Sequence, residues 1–290
     1  MKSRTVEISL EKGCISLNLE EGERGPFKQS NGRVNVSNGV ILKNLRHNMK
    51  RTLPQLRLTP EREEELVILA GGASMLDYVD EIKERIDGGA KCMVMNGTHD
   101  WAASQGILRH FYSMIEMRPS GAQFVANPHP GIVYCISSAC SPLVFDALKD
   151  IPSVYMMHCA GMQSRTTTLN RYYYNRIPAW VEGGSTIGLR APMLAWWLGF
   201  RKFHFYGLDS CIIDTRHHAY PQALNDDSAL EIIKVGDREF FCQGWMGDQA
   251  IGFLNFIRDR GDLFQLQVHG DGLIAYLMEY IPQRGMDQAA

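Results

Sequence analysis

Two glycine-rich turns in this sequence combine the residue types that bind phosphate groups. The first, Gly71-Gly72-Ala73-Ser74, follows an apolar run, and the second, Gly183-Gly184-Ser185-Thr186, precedes a segment with helical patterning. Glycines let a backbone approach a phosphate closely, and the unpaired amides of a helix N-terminus attract anions. Neither turn is a Walker sequence or a complete GxGxxG. The pair predicts a phosphate-binding site, and the alternative for the first turn is a plain strand-to-helix connection.

Further polar residues follow other apolar runs. Asn96 and Gly97 come directly after the run Lys91–Met95. The Asn96 side chain can hold a base or a sugar hydroxyl, or it can cap its own loop. The polar segment 161–180 contains Tyr172 to Tyr174, whose hydroxyls either face a phosphate or are the solvated tips of packed rings.

The segment after residue 206 supplies candidates for proton transfer. Asp209 follows an apolar run, and the polar loop behind it contains His217 and His218. A carboxylate at a strand end with nearby histidines is typical of an acid–base site or of a metal site; the alternative is a solvated loop. On an extended backbone adjacent side chains point to opposite sides, so we expect only one histidine to face the site.

Short apolar runs alternate with helical patterns from residue 66 onward, which is typical of βα units on a parallel sheet. A predicted hairpin over 231–242 adds antiparallel pairing. We therefore predict a Rossmann-like α/β fold with a mainly parallel, mixed sheet flanked by helices. In such sheets ligands bind at the carboxyl ends of the strands, where the polar junctions lie. The predicted strands are 66–70, 91–95, 123–126, 132–137, 154–158, 202–206 and 264–268, and the predicted helices are 75–86, 142–149, 185–198 and 248–258.

The first 60 residues have a different pattern. Weak alternation over 6–19 predicts a hairpin, 41–49 predicts a short helix, and the polar residues 59–63 predict a helix start. We therefore predict an N-terminal arm over 1–60 and one Rossmann-like nucleotide-binding domain over 61–290.

Composition excludes several classes of protein. The 290 residues are 45% apolar and 21% charged, which is typical of a globular chain. The net charge of −2 and the lack of a long basic block exclude nucleic acid as the main partner. The run Ala191–Phe200 is too short to span a membrane, and no secretory signal is visible, so we expect a cytoplasmic protein. Seven scattered cysteines without a CxxC pair give no zinc or redox motif.

The two glycine turns also carry a family resemblance. The segment ILAGGASMLD resembles the "GGPSL" turn, and GGSTIGLRAPMLAWWLGFRKFHFYGLD resembles the "GGSV…A…LG…I.L.G.D" signature, of the MptE-like 6-hydroxymethylpterin diphosphokinase family. That family includes the central domain of the motility-associated flagellin glycosylation factors. The same turn and the downstream Asn are similar to those of Campylobacter-type sialyltransferases. The resemblance covers roughly Glu64 to Ile274.

The resemblance implies roles for individual residues. It implies that the 71–74 turn and Asn96 form the nucleotide site, with the 183–186 turn as its second wall. Asp209 matches the strand-end acid of the family, and His218-Ala219 matches the His-Ala that follows it. Two residues depart from the pattern, because Ala73 replaces a preferred Pro and Asn127 replaces an expected Asp. The second departure predicts the loss of a metal-facing carboxylate.

The resemblance implies a nucleotide-dependent transferase. We expect a glycosyltransferase with a CMP-type nucleotide-sugar donor and a sugar acceptor, in which His218, before His217, transfers the proton and helix amides stabilise the leaving phosphate. The first alternative is pyrophosphoryl transfer from ATP to a pterin-like alcohol, with Asp209 holding Mg²⁺. The second is a nucleotide-binding module without catalysis. The sequence does not identify the donor, the acceptor or the oligomeric state.

Overall fold

The structure is a computed structural model that describes residues 2–9, 14–19, 36–160, 179–222 and 230–279. Tyr172 to Tyr174, which the sequence offers as phosphate ligands, lie outside these residues. Within the described ranges, none of the helices combines the length and the apolar character needed to cross a bilayer.

Strands and helices alternate along most of the chain. The strands are β1 (Lys2–Ser9), β2 (Cys14–Leu19), β3 (Leu66–Leu69), β4 (Lys91–Met95), β5 (Phe111–Met114), β6 (Val133–Ser137), β7 (Val154–Cys159), β8 (Trp180–Val181), β9 (Lys202–Tyr206), β10 (Leu230–Val235), β11 (Arg238–Gln243) and β12 (Gln265–His269). The described α-helices are α1 (Asn38–Asn48), α2 (Val79–Asp87), α3 (Thr98–Ser104), α4 (Pro142–Ala147), α5 (Ile187–Trp197), α6 (Gly244–Arg260) and α7 (Leu273–Met278). Short 3₁₀ helices span Ala73–Tyr78, Pro119–Val125 and Gly261–Leu263.

The central sheet has eight strands in the order β12-β9-β3-β4-β5-β6-β7-β8, and every pair of neighbours is parallel. This confirms the Rossmann-like, mainly parallel α/β class. From β3 to β8 each new strand adds to the same side, and the chain then returns so that β9 pairs with the other side of β3. The strand order therefore reverses between β3 and β9, which is where ligands bind in open α/β sheets.

The predicted hairpin is present as β10 and β11, but its antiparallel pairing lies outside the central sheet. It belongs to a second sheet of four strands in the order β11-β10-β1-β2. The predicted N-terminal hairpin is also present, because β1 pairs antiparallel with β2. On its other side β1 pairs parallel with β10, so the hairpin is part of this second sheet.

Two predicted elements are wrong. Residues 123–126 are not a strand but lie mostly in the 3₁₀ helix Pro119–Val125, and the third strand of the sheet is β5. Pro119 and Gly121, just upstream of residue 123, disfavour a central strand. Residues 59–63 do not start a helix, because their backbone is bonded elsewhere. The Thr59 amide donates to the Trp197 carbonyl (3.0 Å), and the Arg62 amide donates to the Gly199 carbonyl (2.8 Å).

Helix α1 confirms the short helix predicted near the end of the arm, and it is bonded to the central sheet. Ile41 and Leu45 are buried in the core. The Asn44 amide donates to the carbonyls of Met117 (3.0 Å) and Ala139 (3.1 Å), which lie in the loops after β5 and β6. The division of the chain at residue 60 stays a prediction, but α1 directly supports two loops at the carboxyl edge of the sheet.

Candidate functional site

A cleft opens at the carboxyl edge of the sheet, where β3 and β9 lie side by side. Its lining brings together six of the residues predicted from the sequence, namely Gly72, Asn96, Thr186, Asp209, His217 and His218. The other predicted residues belong to the turns behind this lining: Gly71, Ala73, Ser74, Gly97, Gly183, Gly184 and Ser185. The predicted junctions therefore meet at one place in the fold.

The turns after β3 and β9 pack directly against each other. The Gly72 amide donates to the Gly207 carbonyl at 2.8 Å. A Cβ on Gly72 would lie 2.5 Å from Asp209 Oδ2 and 2.6 Å from the Gly207 oxygen. A Cβ on Gly71 would similarly collide with the Thr98 hydroxyl. These glycines are required by contacts inside the protein, in addition to any contact with a ligand.

Asp209 connects the same two turns. Its side chain is buried, with 5% of the residue exposed. The Ser74 amide donates to Asp209 Oδ2 (3.0 Å), and the Ser74 hydroxyl donates to Oδ1 (2.5 Å). Burial raises the pKa of Asp209, while the two Ser74 hydrogen bonds act in the opposite direction. Asp209 lines the cleft, and it also caps the 3₁₀ helix that begins at Ala73.

The Asp209 carboxylate is bonded within the protein. Both of its oxygens accept hydrogen bonds from Ser74, and the other acid in the lining, Glu116, is paired with Arg118. Among the described residues, no group of three or more His, Cys, Asp or Glu side chains is arranged to hold a metal. Asn127 lies outside the cleft lining and donates to Asp100 (3.0 Å), so the missing acid at this position has no bearing on the cleft.

Both histidines of the loop after β9 line the cleft, whereas the sequence predicts that only one faces it. The premise of an extended backbone does not hold, because the chain bends throughout 217–220. A tight turn precedes the bend, where Ile213 and Arg216 exchange two backbone hydrogen bonds. The two residues at its tip, Asp214 and Thr215, have positive φ angles of 47° and 69°.

His218 is held by the turn after β3 and by two residues of its own loop. Its Nδ1 lies 3.4 Å from the Gly71 carbonyl oxygen, and its Nε2 lies 2.9 Å from the amide nitrogen of Gln222. The ring stacks on Tyr220, with 5.5 Å between centroids. Burial raises the pKa of Tyr220 to about 12, so this phenol stays neutral near neutral pH. Its oxygen lies 3.2 Å from the Thr98 hydroxyl oxygen, which links the histidine loop to α3.

Asn96 both caps a loop and faces the cleft. Its φ is 43°, and its Oδ1 accepts a hydrogen bond from the Ile115 amide (3.2 Å). The side-chain amide nitrogen remains as a donor for a ligand. Gly97 has a different role, because a Cβ there would collide with the Gln222 carboxamide. Of this predicted pair, Asn96 lines the cleft and Gly97 leaves room for another side chain.

The second glycine turn presents the N-terminus of α5 to the cleft. Thr186 caps the helix by accepting from the Leu189 amide (3.4 Å), and Ile187 and Gly188 line the cleft beside it. Gly183 has a φ of 126°, and a Cβ there would meet the Leu189 carbonyl at 2.6 Å. The glycines thus fold the turn against the helix, and the free amides of the first helical turn provide positive potential for an anion.

Sequence reasoning missed an ion pair and an aromatic ring in the cleft lining. Arg118 donates to both oxygens of Glu116, at 2.9 and 2.7 Å, and this pairing raises the pKa of Arg118. The pair follows β5, so recognising that strand would have placed it at the same edge. Trp245 lies in the first turn of α6, immediately after the hairpin. No pattern in the sequence assigns that helix to the cleft.

Comparisons with known proteins agree with this fold. A family model described as "6-hydroxymethylpterin diphosphokinase MptE-like" matches residues 40–215, beginning upstream of the range 64–274 over which the motifs show the resemblance. No curated protein matches the chain. A solved structure of a MAf glycosyltransferase from Magnetospirillum magneticum AMB-1 is similar, with a TM-score of 0.63 and 15% identity. The similarity covers 80% of this chain but only 36% of that one, and at this identity it shows the fold alone.

Proposed function

Because this chain belongs to the MptE-like 6-hydroxymethylpterin diphosphokinase family, we propose that it is a nucleotide-dependent transferase that moves a sugar from a CMP-type donor. One observation carries the proposal: the N-terminus of α5 and two histidines meet in one cleft at the switch point of the sheet. The first provides amides for a phosphate, and the second provides bases for a hydroxyl proton. The fold shared with a MAf glycosyltransferase supports sugar transfer.

In the proposed reaction, residues of the cleft take up the hydroxyl proton and stabilise the charge on the leaving phosphate. The acceptor oxygen forms a bond to the anomeric carbon, and the bond from that carbon to the phosphate oxygen breaks with its electron pair on the phosphate. The hydroxyl proton passes to His218, which is the first choice, with His217 as the second. Amides at the start of α5 and the Arg118 guanidinium meet the charge that develops on the phosphate.

Pyrophosphoryl transfer from ATP to a pterin-like alcohol is the second candidate. The description of the family supports it. The role proposed for Asp209 in that reaction was to hold Mg²⁺, but its oxygens accept hydrogen bonds from Ser74. We therefore favour sugar transfer. The third candidate is a nucleotide-binding module without catalysis, and turnover with any donor would exclude it.

A thermal-shift panel of CMP, CTP, UDP, GDP and ATP, each with and without Mg²⁺, tests the proposal. A ligand that binds only the folded chain stabilises it by about 2.7 kcal/mol at one hundred times its Kd. We expect CMP and CTP to raise the Tm most. Stabilisation by ATP with Mg²⁺ and none by the cytidine nucleotides would favour the diphosphokinase.

A pair of arginine variants links the shift to the cleft. Arg118→Gln should reduce the Tm increase caused by CMP, because it removes a positive charge from the lining. Arg109→Gln is the matched control, since Arg109 is exposed, pairs with Asp87 and lies outside the lining. Equal losses in the two variants would show that the nucleotide binds elsewhere.

A further inference from the structure

The contact between His218 and Gln222 determines where the imidazole proton lies. The Gln222 Nε2 atom is 2.9 Å from His218 Nε2. The carboxamide is oriented with its oxygen towards Gly97 and its NH₂ group towards the ring. An NH₂ group can only donate, so in this orientation His218 Nε2 is the acceptor. In a neutral imidazole the proton is then on Nδ1, and this N–H group donates to the Gly71 carbonyl oxygen at 3.4 Å.

Gln222 is itself held in place by the turn after β4. Its Oε1 atom lies where a Cβ of residue 97 would be, so the glycine at this position leaves room for the carboxamide. Tyr220 stacks on the His218 ring with 22° between the ring planes and fixes its orientation. The plane of the imidazole is thus set by Tyr220, and its tautomer is set by Gln222 together with the Gly71 carbonyl.

We propose that Gln222 is a positioning residue that makes Nε2 the basic nitrogen of His218. The catalytic meaning of this inference rests on the proposed function. A lone pair on Nε2 can accept the proton of an acceptor hydroxyl that takes the place of the Gln222 amide. The other tautomer would present an N–H group at this position, which can only donate and cannot act as a base.

Other ionisable groups face the same part of the cleft. His217 and Tyr220 belong to the loop of His218 itself, and the rings of the two histidines are 6.4 Å apart. The Glu116 carboxylate is paired with Arg118, and the Asp209 carboxylate accepts from Ser74. The Gln222 contact is made to the Nε2 atom of His218 itself. A change at Gln222 therefore acts on that atom directly.

Nitrogen-15 NMR of this 290-residue chain reads the tautomer without any substrate. Long-range ¹H–¹⁵N correlation spectra distinguish protonated from unprotonated ring nitrogens, and the His218 signals are those lost in His218→Ala. We expect an unprotonated Nε2 in the native protein near neutral pH. In Gln222→Glu a carboxylate oxygen, which can only accept, replaces the NH₂ donor, so the proton should move to Nε2.

Gln249→Glu is the matched control. It makes the same change of charge in the lining of the same cleft, but Gln249 donates to the Ser185 hydroxyl (2.8 Å) and not to His218. Its His218 spectrum should keep the native tautomer. A protonated Nε2 in the native protein, or an unchanged tautomer in Gln222→Glu, would overturn the inference.

The pH dependence of turnover connects the tautomer to catalysis. With whichever donor is active, the acid limb of the profile should move to higher pH by about one unit or more in Gln222→Glu, because a nearby carboxylate favours the imidazolium. An unchanged profile would overturn the inference and leave the proposed function intact. If the tautomer changes in Gln222→Glu but no donor is turned over by the native protein, the positioning role of Gln222 is supported and the proposed function is contradicted.

Discussion

Ser74 and Asp209 join the two turns on which the cleft is built, because the amide and the hydroxyl of Ser74 both donate to one buried carboxylate. Ser74 follows β3, and Asp209 follows β9, so this contact crosses the switch point of the sheet. Both residues were predicted from the sequence as direct ligands. Their first role is to hold the two turns together, and this makes the stability of the cleft sensitive to the charge of Asp209.

Asp209→Asn should change how the stability of the protein depends on acid pH. Burial raises the pKa of the folded carboxyl above its ordinary value of 3.8. A raised pKa favours the protonated folded state, so the native protein loses stability as pH rises from 3.8 through the folded pKa. The asparagine variant keeps the shape and lacks this loss. As pH rises from about 3 to 7, the urea midpoint of the variant should therefore increase relative to that of the native protein.

The same variant tests the metal alternative. If Asp209 orients the turns without holding a metal, nucleotide-induced thermal shifts in Asp209→Asn should keep the native dependence on Mg²⁺. Disappearance of that dependence in a folded variant would restore Asp209 as a metal ligand and favour the diphosphokinase.

Gly72→Ala should destabilise the protein before any ligand is added. The new Cβ would lie 2.5 Å from Asp209 Oδ2 and 2.6 Å from the Gly207 oxygen, and such overpacking costs about 1–3 kcal/mol. Gly252→Ala is the control, because Gly252 lies inside α6 with no other atom within 4 Å of the new Cβ. That change should stabilise the protein by roughly 0.5–1 kcal/mol. A Gly72→Ala protein with native stability that still loses nucleotide binding would show that Gly72 contacts the ligand directly.

His218→Ala should lower turnover by about 10² to 10⁴, the usual range for a positioned acid or base, while nucleotide binding is kept. His217→Ala should cost much less, although both rings line the cleft. Turnover and thermal shifts measured on the two variants separate catalysis from binding. The reverse ranking would assign the proton transfer to His217, and small equal losses would direct the search for the base to other residues of the cleft.

The buried, neutral His158 should make the folded protein less stable in mild acid. It is 3% exposed at the end of β7, its Nδ1 lies 3.0 Å from the Ser138 hydroxyl oxygen, and burial lowers its pKa to about 4. A depressed histidine pKa gives stability that is present above pH 6.5 and is lost as pH falls through the folded pKa. His158→Gln should reduce the slope of stability against pH between these values by up to about 1.4 kcal/mol per unit.

Chemical denaturation across this pH range measures that slope. His269, whose pKa burial also lowers to about 4, is present in both proteins, so part of the acid sensitivity should remain in the variant. Identical slopes in the native protein and in His158→Gln would contradict the assignment to His158.

The sequence predicted the elements whose patterns are local. The strands near Leu66, Lys91, Val133, Val154 and Lys202 are runs of apolar residues, and the structure has strands at each position. Strand β5 was missed because the polar Ser113 interrupts its apolar run. The hydroxyl of Ser113 donates to the Cys135 carbonyl (3.2 Å), and Cys135 belongs to β6. The cost of burying this hydroxyl is therefore offset only when β6 lies beside β5.

The sequence predicted where the cleft residues lie in the fold, but it did not predict which residues they contact. Gly72, Asn96, Asp209 and His218 all line it, because parallel strands deliver their following turns to one edge. The partners of these residues depend on contacts between distant segments. The space beside Gly97 is filled by Gln222, a contact that no short-range pattern reveals.

The return of the chain from β8 to β9 has a consequence for the order of folding. All four residues of β3 are fully buried between β4 and β9, but β4 to β8 are synthesised before β9. Until residues 202–206 emerge from the ribosome, β3 is the unpaired edge of a growing half-sheet, and an apolar edge strand is a template for aggregation. We expect nascent chains that end before residue 202 to depend on chaperones and to regain solubility once β9 is included.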